Sequence, residues 1–449
     1  MAQVFPFRAF RYHPENAHTS FEKLLTQPYD KISPAMQEKY YAADPHNLIT
    51  VEKGRAFPQD TAQNNVYMRA AVALESWVRK NVVAQDPEPA FYGYSQEYTV
   101  PGAAERRTRR GFIGAGKLED YSAGVVYRHE HTLSGPKADR LEMLRHTKTH
   151  TGQLFMLYTD AERRVDKILQ VVEAGAPVTE LRDEYDVLHR LWIIAEPTQV
   201  AAIQKALSGQ KLVIADGHHR YETALNYRNE NRTRAGKIVP DAPYERAMMT
   251  FVNTRSEGLT ILPTHRVVSQ LHDFDWPGVR RHLEPWFTGQ EFPFANDADR
   301  PVARDKFLSE LAQARPQRGI GAYPAAAQGK RAFYILKLRS GADLARLLPN
   351  VSPLQRELDV VLLHEGILEA ALGITPQSVV AEANLSYERE AGAALEAVDQ
   401  GTAQIAFLLN ACDVEEVVKI ATSGEVMPQK STDFFPKLLS GITMYRVDG

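Results

Sequence analysis

Cysteine is almost missing from this chain: Cys412 is the only one in 449 residues. One cysteine can neither close an internal disulfide nor build a cysteine-rich zinc site, and the composition fits a reducing cytoplasm. Long apolar runs are missing too. No stretch of about 18 apolar residues occurs, so no membrane-spanning helix is expected. The opening "MAQVFPFRAFRYHPEN" lacks the charged-then-apolar order of a secretory leader. Positive charge is not in excess. The formal net charge is -3 and the pI is near 6.6, which argues against the basic stripe of a nucleic-acid binder. No GxGxxG follows a predicted strand and no GxSxG elbow exists, so neither of those two site types is available.

What is present is an ordinary globular mixture, 44% apolar and 24% charged. Its length calls for at least two domains. Residues 60–84 carry the spacing of an amphipathic helix. "AFYGYSQEYTV" and "RRTRRGFIGAGKL" alternate polar and apolar positions and predict two strands joined by "PGAAE". "GQLFMLYTD" and "YDVLHRLWIIAE" read as further strands. "PTQVAAIQKALSG" reads as a helix with Pro197 in its first turn and Gly209 at its end. "ERAMMTFVNTR" and "LTILPTHRVV" are expected to pair as strands. Beyond about residue 267 the character changes, with a helix expected over 353–372. The reading is α+β, with a mixed-sheet domain over 1–267 and a second α+β domain over 268–449.

The densest chemistry lies in "LVIADGHHRYETALNY". An apolar strand runs into Asp216, Gly217, His218, His219 and Arg220, and a helix follows. A strand feeding a helix through glycine exposes free backbone N–H groups, which together with the helix dipole favour an anion, typically phosphate. Gly217 allows close approach of the backbone. Arg220 can clamp phosphate oxygens with a two-pronged guanidinium. Asp216 would repel bare phosphate, so it holds Mg²⁺, caps the helix or orients a histidine.

Four other stretches carry related chemistry. In "YRHEHTLSGPKADR", the histidines and Glu130 lack zincin spacing; Thr132, Lys137 and Arg140 suit phosphate contact better than metal chelation. "PTHR" ends a strand with His265 and Arg266. In "QPYDKIS", Asp30 is a loop carboxylate able to serve as a general base. "MPQKSTDFFPKLLSG" places Lys430, Ser431, Thr432 and Lys437 in a proline-bounded loop. That loop suits anion binding, or a lid that docks through its phenylalanines.

Six ordered motifs from residue 5 to residue 441 together resemble the domain-of-unknown-function family numbered 1015: "PFRAFRY", "QPYDKIS", "RHEHT…KADR", "IADGHHRYETAL", "LPTHR" and "MPQKSTDFFPKL". The corner also resembles the ParB/sulfiredoxin superfamily and, within it, the free-serine kinases. That resemblance implies a ParB/sulfiredoxin-like N-terminal domain, with the MPQKST loop of the C-terminal domain closing back on the site. It implies a phosphate corner at Asp216 to Arg220. The loop carboxylate of those kinases maps by position onto Asp30, where this chain has Asp in place of Glu. Sulfiredoxin chemistry needs a cysteine at the corner, and none is there. The leading expectation is a cytoplasmic phosphotransferase that takes a phosphoryl group from ADP or ATP to a small hydroxyl acceptor such as L-serine. Arg220 and His219 would meet the phosphates, Asp216 would hold Mg²⁺, and Asp30 or Glu130 would be the base, with His219 in the catalytic group. Gly217, His218, Thr132, Arg140, Arg266, Lys430, Ser431 and Thr432 complete the expected binding set. The rival readings are a nucleotide-binding regulatory module, a phosphoesterase in which water replaces the acceptor, and a DNA-binding protein, which the net charge disfavours.

Overall fold

The two alternating runs form the expected hairpin: Phe91–Thr99 pairs antiparallel with Arg106–Lys117, with Tyr92 opposite Ile113 and Thr99 opposite Arg106. The rest of a large sheet is built on this hairpin. The computed structural model describes residues 1–130, 135–381 and 383–448. Thr132 lies outside the described residues, so its expected phosphate contact has no structural counterpart here. The described chain divides into two compact units. Unit 1 comprises residues 1–128, 135–260 and 434–448, and unit 2 comprises 129–130 and 261–433. The protein is a mixed α+β molecule.

Unit 1 carries a nine-stranded mixed sheet. Its strands are β1 (Val4–Phe5), β2 (Phe91–Thr99), β3 (Arg106–Lys117), β4 (Val126–Tyr127), β5 (Leu154–Tyr158), β6 (Thr179–Arg182), β7 (Leu188–Ile194), β8 (Leu212–Asp216) and β9 (Arg246–Asn253). Their order is β4-β8-β5-β9-β3-β2-β7-β6, with β1 beside β3. The helices that matter are α1 (Val66–Arg79), α2 (Gly135–Thr147), α3 (Arg164–Val172), α4 (Pro197–Leu207) and α5 (His218–Ala235). Residues 60–65 do not join α1, because the Asn65 side chain accepts from the N–H groups of Tyr67 and Met68 and caps the helix there. The core packs β5, β8 and β9 with Val165 and Leu169 of α3, Ile203 and Leu207 of α4, and Tyr221 and Ala224 of α5.

The expected pairing of "ERAMMTFVNTR" with "LTILPTHRVV" does not occur. Strand β9 pairs with β3 and β5, and His265–Val268 pairs with Leu385–Glu388 and Ile405–Leu408. The reason is burial. All but one of the β9 residues are buried, so it is a central strand that needs a covered neighbour on each edge. The turn after β9 presses Gly258 onto β3. A Cβ there would lie 2.0 Å from the Thr108 carbonyl oxygen, a distance only glycine avoids.

Unit 2 holds a six-stranded sheet of β10 (His265–Val268), β11 (Phe287–Pro293), β12 (Ile320–Pro324), β13 (Ala332–Leu338), β14 (Leu385–Glu388) and β15 (Ile405–Leu408). The order is β11-β13-β12-β15-β10-β14, and every pair is antiparallel. The helix expected over 353–372 is broken instead. A short 3₁₀ turn at Gln355–Glu357 and one turn at Asp359–Val361 lead into a π-helix at Leu362–Glu369.

Candidate functional site

Strand β8 ends in a bulge. Its register with β5 is regular to Ile214 opposite Met156, and then Asp216, not Ala215, faces Phe155. A bulge bends a strand and re-aims the side chain beside it. Here it turns Asp216 toward the start of α5. Gly217 follows with φ of +94° and precedes the first helical residue, His218. A side chain at that φ is strained, and a Cβ would press on Leu154 Cδ2 at 3.1 Å and on the Arg220 guanidinium at 3.2–3.3 Å.

Asp216 lies between two cations. Arg220 Nη2 donates to Asp216 Oδ2 at 2.7 Å, and Lys437 Nζ donates to Oδ1 at 3.1 Å. Burial pushes this carboxyl up, but Lys437, Arg220 and Lys31 together hold it well below the usual carboxylate range. Arg220 also donates from Nη1 to the Gln153 carbonyl at 2.6 Å. Burial works against its charge, and Asp216, Asp30, Tyr29 and Glu52 more than restore it. Asp30 lies on the short turn Tyr29–Lys31, exposed to solvent. Its charge acts on Arg220 and on the Tyr29 hydroxyl, which burial pushes up to about 12. His218 and His219 open α5 and are partly exposed.

Glu52 ties these parts together. Its carboxylate is 2% exposed. It accepts from the Tyr29 N–H at 3.2 Å, the Thr151 hydroxyl at 2.6 Å and the Ser440 hydroxyl at 2.9 Å. The Arg140 guanidinium donates to the Glu52 carbonyl at 2.7 Å and covers the Tyr29 ring at 4.3 Å. Unit 1 therefore brings Asp30, Arg140, Asp216, Gly217, His218, His219 and Arg220 into one neighbourhood. Sequence reasoning missed Glu52, Gln153 and the role of Lys437. Lys437 belongs to the MPQKSTDFFPKL motif and could have been found there; Glu52 sits on a single helical turn with nothing to mark it.

The segment bearing Lys437 is held down by side chains of β2 and β3. Gln96 Nε2 donates to the Lys437 carbonyl at 2.7 Å. The buried Arg109 guanidinium donates to the carbonyls of Phe435 and Pro436. Burial lowers Arg109 to about 10.

The remaining predicted residues belong to unit 2. His129 is fully buried, and its Nε2 lies 2.8 Å from the Thr432 hydroxyl. Glu130 accepts from the Lys430 N–H at 2.5 Å, and the Ser431 hydroxyl donates to the Pro428 carbonyl. The Lys430 side chain is exposed. Arg266, expected to meet phosphate, is 0% exposed. Its guanidinium donates to the carbonyls of Thr264, Gln429 and Lys430 and to His364 Nε2. As placed, it organises the MPQKST loop and does not face a ligand, because every direction it points in is already filled by its own unit. Burial lowers Arg266 to about 10 and His265 to about 4. Among the described residues no group of three or more His, Cys, Asp or Glu is placed to hold a metal ion, and no helix is long and apolar enough to cross a membrane.

His150, next to this neighbourhood, gives a pH prediction. Burial, then the Arg220 charge, lowers it to about 4. Between about pH 6.5 and 4 the unfolded chain binds a proton that the folded one refuses, so stability falls as pH drops through that window. The expected loss is about 1–3 kcal/mol. Asp216 acts in a different window: its depressed pKa stabilises the fold above about pH 4, and that contribution is lost only below it. Urea midpoints measured between neutral pH and mildly acidic pH should show the slope; His265 adds to it in the same window, and His150→Gln should remove the share that His150 contributes. An unchanged slope in the variant would assign the effect elsewhere.

A mixed α+β molecule with this corner defines a class but not yet a protein. A sequence model of the family described as "Protein of unknown function (DUF1015)" matches residues 4–361, so the chain belongs to that family. No curated protein matches the sequence. Among solved structures, a free serine kinase in complex with AMP is 12% identical, covers 72% of this chain and 88% of its own, and gives a TM-score of 0.35. A conserved hypothetical protein from Pyrococcus furiosus is 13% identical over 69% of this chain and 86% of its own, with a TM-score of 0.32. SbnI from Staphylococcus aureus, with a C-terminal truncation, is 10% identical over 73% of this chain and 85% of its own, also at 0.32. Likenesses of this size carry no argument about activity.

Proposed function

We propose that unit 1 is a nucleotide-dependent phosphotransferase that moves a phosphoryl group from ADP or ATP to a small hydroxyl acceptor such as L-serine. The observation that carries this reading is the corner itself. A bulged strand aims Asp216 between Arg220 and Lys437, at the glycine-capped start of an 18-residue helix. Phosphoryl transfer needs positioning and charge neutralisation more than covalent help from the protein. The N–H groups of the first turn of α5, with Arg220 and Lys437, would receive the donor's phosphates. His218 and His219 sit in that same turn. Asp216 stays ionised and partly exposed; it would hold Mg²⁺, which would supply charge neutralisation to the donor's phosphates. The exposed Asp30 would accept the acceptor's proton as its oxygen bonds to phosphorus and the bridging P–O bond breaks. A ParB/sulfiredoxin-like arrangement of the N-terminal half is part of the same proposal.

The test is unbiased. The full chain is incubated with Mg²⁺, a nucleotide panel and pooled hydroxyl acceptors, and new phosphomonoesters are followed by phosphorus NMR. A new phosphomonoester resonance is expected. Inorganic phosphate as the sole product would replace the reading with hydrolysis, and intact nucleotide would overturn it.

A further inference from the structure

Beside Arg220, unit 1 holds a small, partly open cavity of about 50 Å³. Its lining includes Glu52, Arg140, His150, Gly152, Arg220 and Thr223. Thr223 is 4% exposed, and its hydroxyl has no hydrogen-bond partner. A buried hydroxyl left without a partner is uncommon and costly. It stands one helical turn from Arg220 on α5, so both side chains share a face.

The hydrogen bonds around the cavity are unbalanced. The Glu52 carboxylate, the one acidic group in the lining, already takes three donors. Arg140 spends one edge on Asp139 and one N–H on the Glu52 carbonyl. Arg220 spends two nitrogens on Asp216 and Gln153. A guanidinium carries five N–H donors, so both arginines keep donors in hand while the local acceptors are used. Two cations, an idle hydroxyl and a saturated carboxylate leave room for an acceptor-rich group, not for another cation. The space is small, so it suits a compact group and not a nucleotide.

We infer that this cavity is a binding pocket for a compact oxyanion, held by Arg140, Arg220 and the Thr223 hydroxyl. The group is the carboxylate of a small organic acid or a phosphate. The pocket shares Arg220 with the α5 corner, and its occupancy is read by binding, whether or not the protein transfers phosphate.

The test reads binding, with no turnover. Wild type, Thr223→Val and Thr223→Ser are titrated calorimetrically with glycolate and with inorganic phosphate, and their melting temperatures are recorded without ligand. Glycolate binding alone would mark a carboxylate pocket, and phosphate binding alone a phosphate pocket. Thr223→Val should melt higher than wild type, because it removes an idle buried hydroxyl without changing shape. It should also lose about tenfold in affinity for the favoured anion, a hydrogen bond to a charged group. Thr223→Ser should keep the affinity. Unchanged affinity in Thr223→Val would place any anion at the corner and overturn the pocket. Binding of neither anion at millimolar concentration would overturn the pocket equally, whatever Thr223→Val does to the melting temperature.

Discussion

Glu52→Ala is expected to cost unit 1 about 3–5 kcal/mol, the price of stripping a buried carboxylate from its donors. Three donors from three distant segments meet on that side chain: the Tyr29 N–H, the Thr151 hydroxyl and the Ser440 hydroxyl. Removing it leaves all three facing a void in a region 2% exposed. It also removes a charge that supports Arg220. Glu52→Gln keeps the shape and one good acceptor, so its cost should be smaller, about 1–2 kcal/mol. Urea unfolding gives the stability change. Amide exchange at Tyr29 tells whether the loop bearing Asp30 has come loose. A loss below about 1 kcal/mol for Glu52→Ala would mean that water replaces the carboxylate at little cost, and Glu52 would then not organise the site.

Arg220→Lys should fold and yet lose roughly 30- to 1000-fold in phosphoryl-transfer rate, equivalent to about 2–4 kcal/mol of transition-state stabilisation. The guanidinium reaches the Gln153 carbonyl and the Asp216 carboxylate from different nitrogens. A single ammonium cannot span both and still present a flat edge to phosphate. Circular dichroism and rates of nucleotide consumption, measured on the same preparation, separate folding from chemistry. If the variant unfolds while its folded fraction keeps full nucleotide affinity, Arg220 is a packing residue and the phosphotransferase reading loses its support.

Local features of the fold could be read from the sequence wherever a period or a cap decided them. The Phe91–Thr99 and Arg106–Lys117 hairpin follows from two strand-like runs around the "PGAAE" turn, although both strands are buried along most of their length, and the helix at Pro197–Leu207 follows from its proline start. The π-helix at Leu362–Glu369 could not be read this way. "LDVVLLHEGIL" is apolar on nearly all sides, so no period separates an α-helix from a wider one. Arg266 misled because an arginine in a sequence reads as exposed, whereas here three carbonyls and a histidine neutralise its burial. The corner at Asp216 to Arg220 was legible because strand, glycine and helix are adjacent in sequence. Its partners were not, because they come from far away: Lys437 lies 221 positions from Asp216, and Ser440 lies 388 from Glu52.

Those separations set an order of events during synthesis. Unit 1 takes its last segment from residues 434–448, which follow nearly all of unit 2. At about 5–20 residues per second, a ribosome needs roughly ten to thirty-five seconds to make the stretch of about 170 residues between Thr260 and Phe434. Throughout that interval Asp216 and Arg220 exist as a pair without their lysine, and Glu52 waits for the Ser440 hydroxyl. The nascent chain thus carries a nearly finished sheet with an unfinished corner. Assembly of the corner therefore waits until residues beyond 433 have been made, so a chain cut short before them has no complete site.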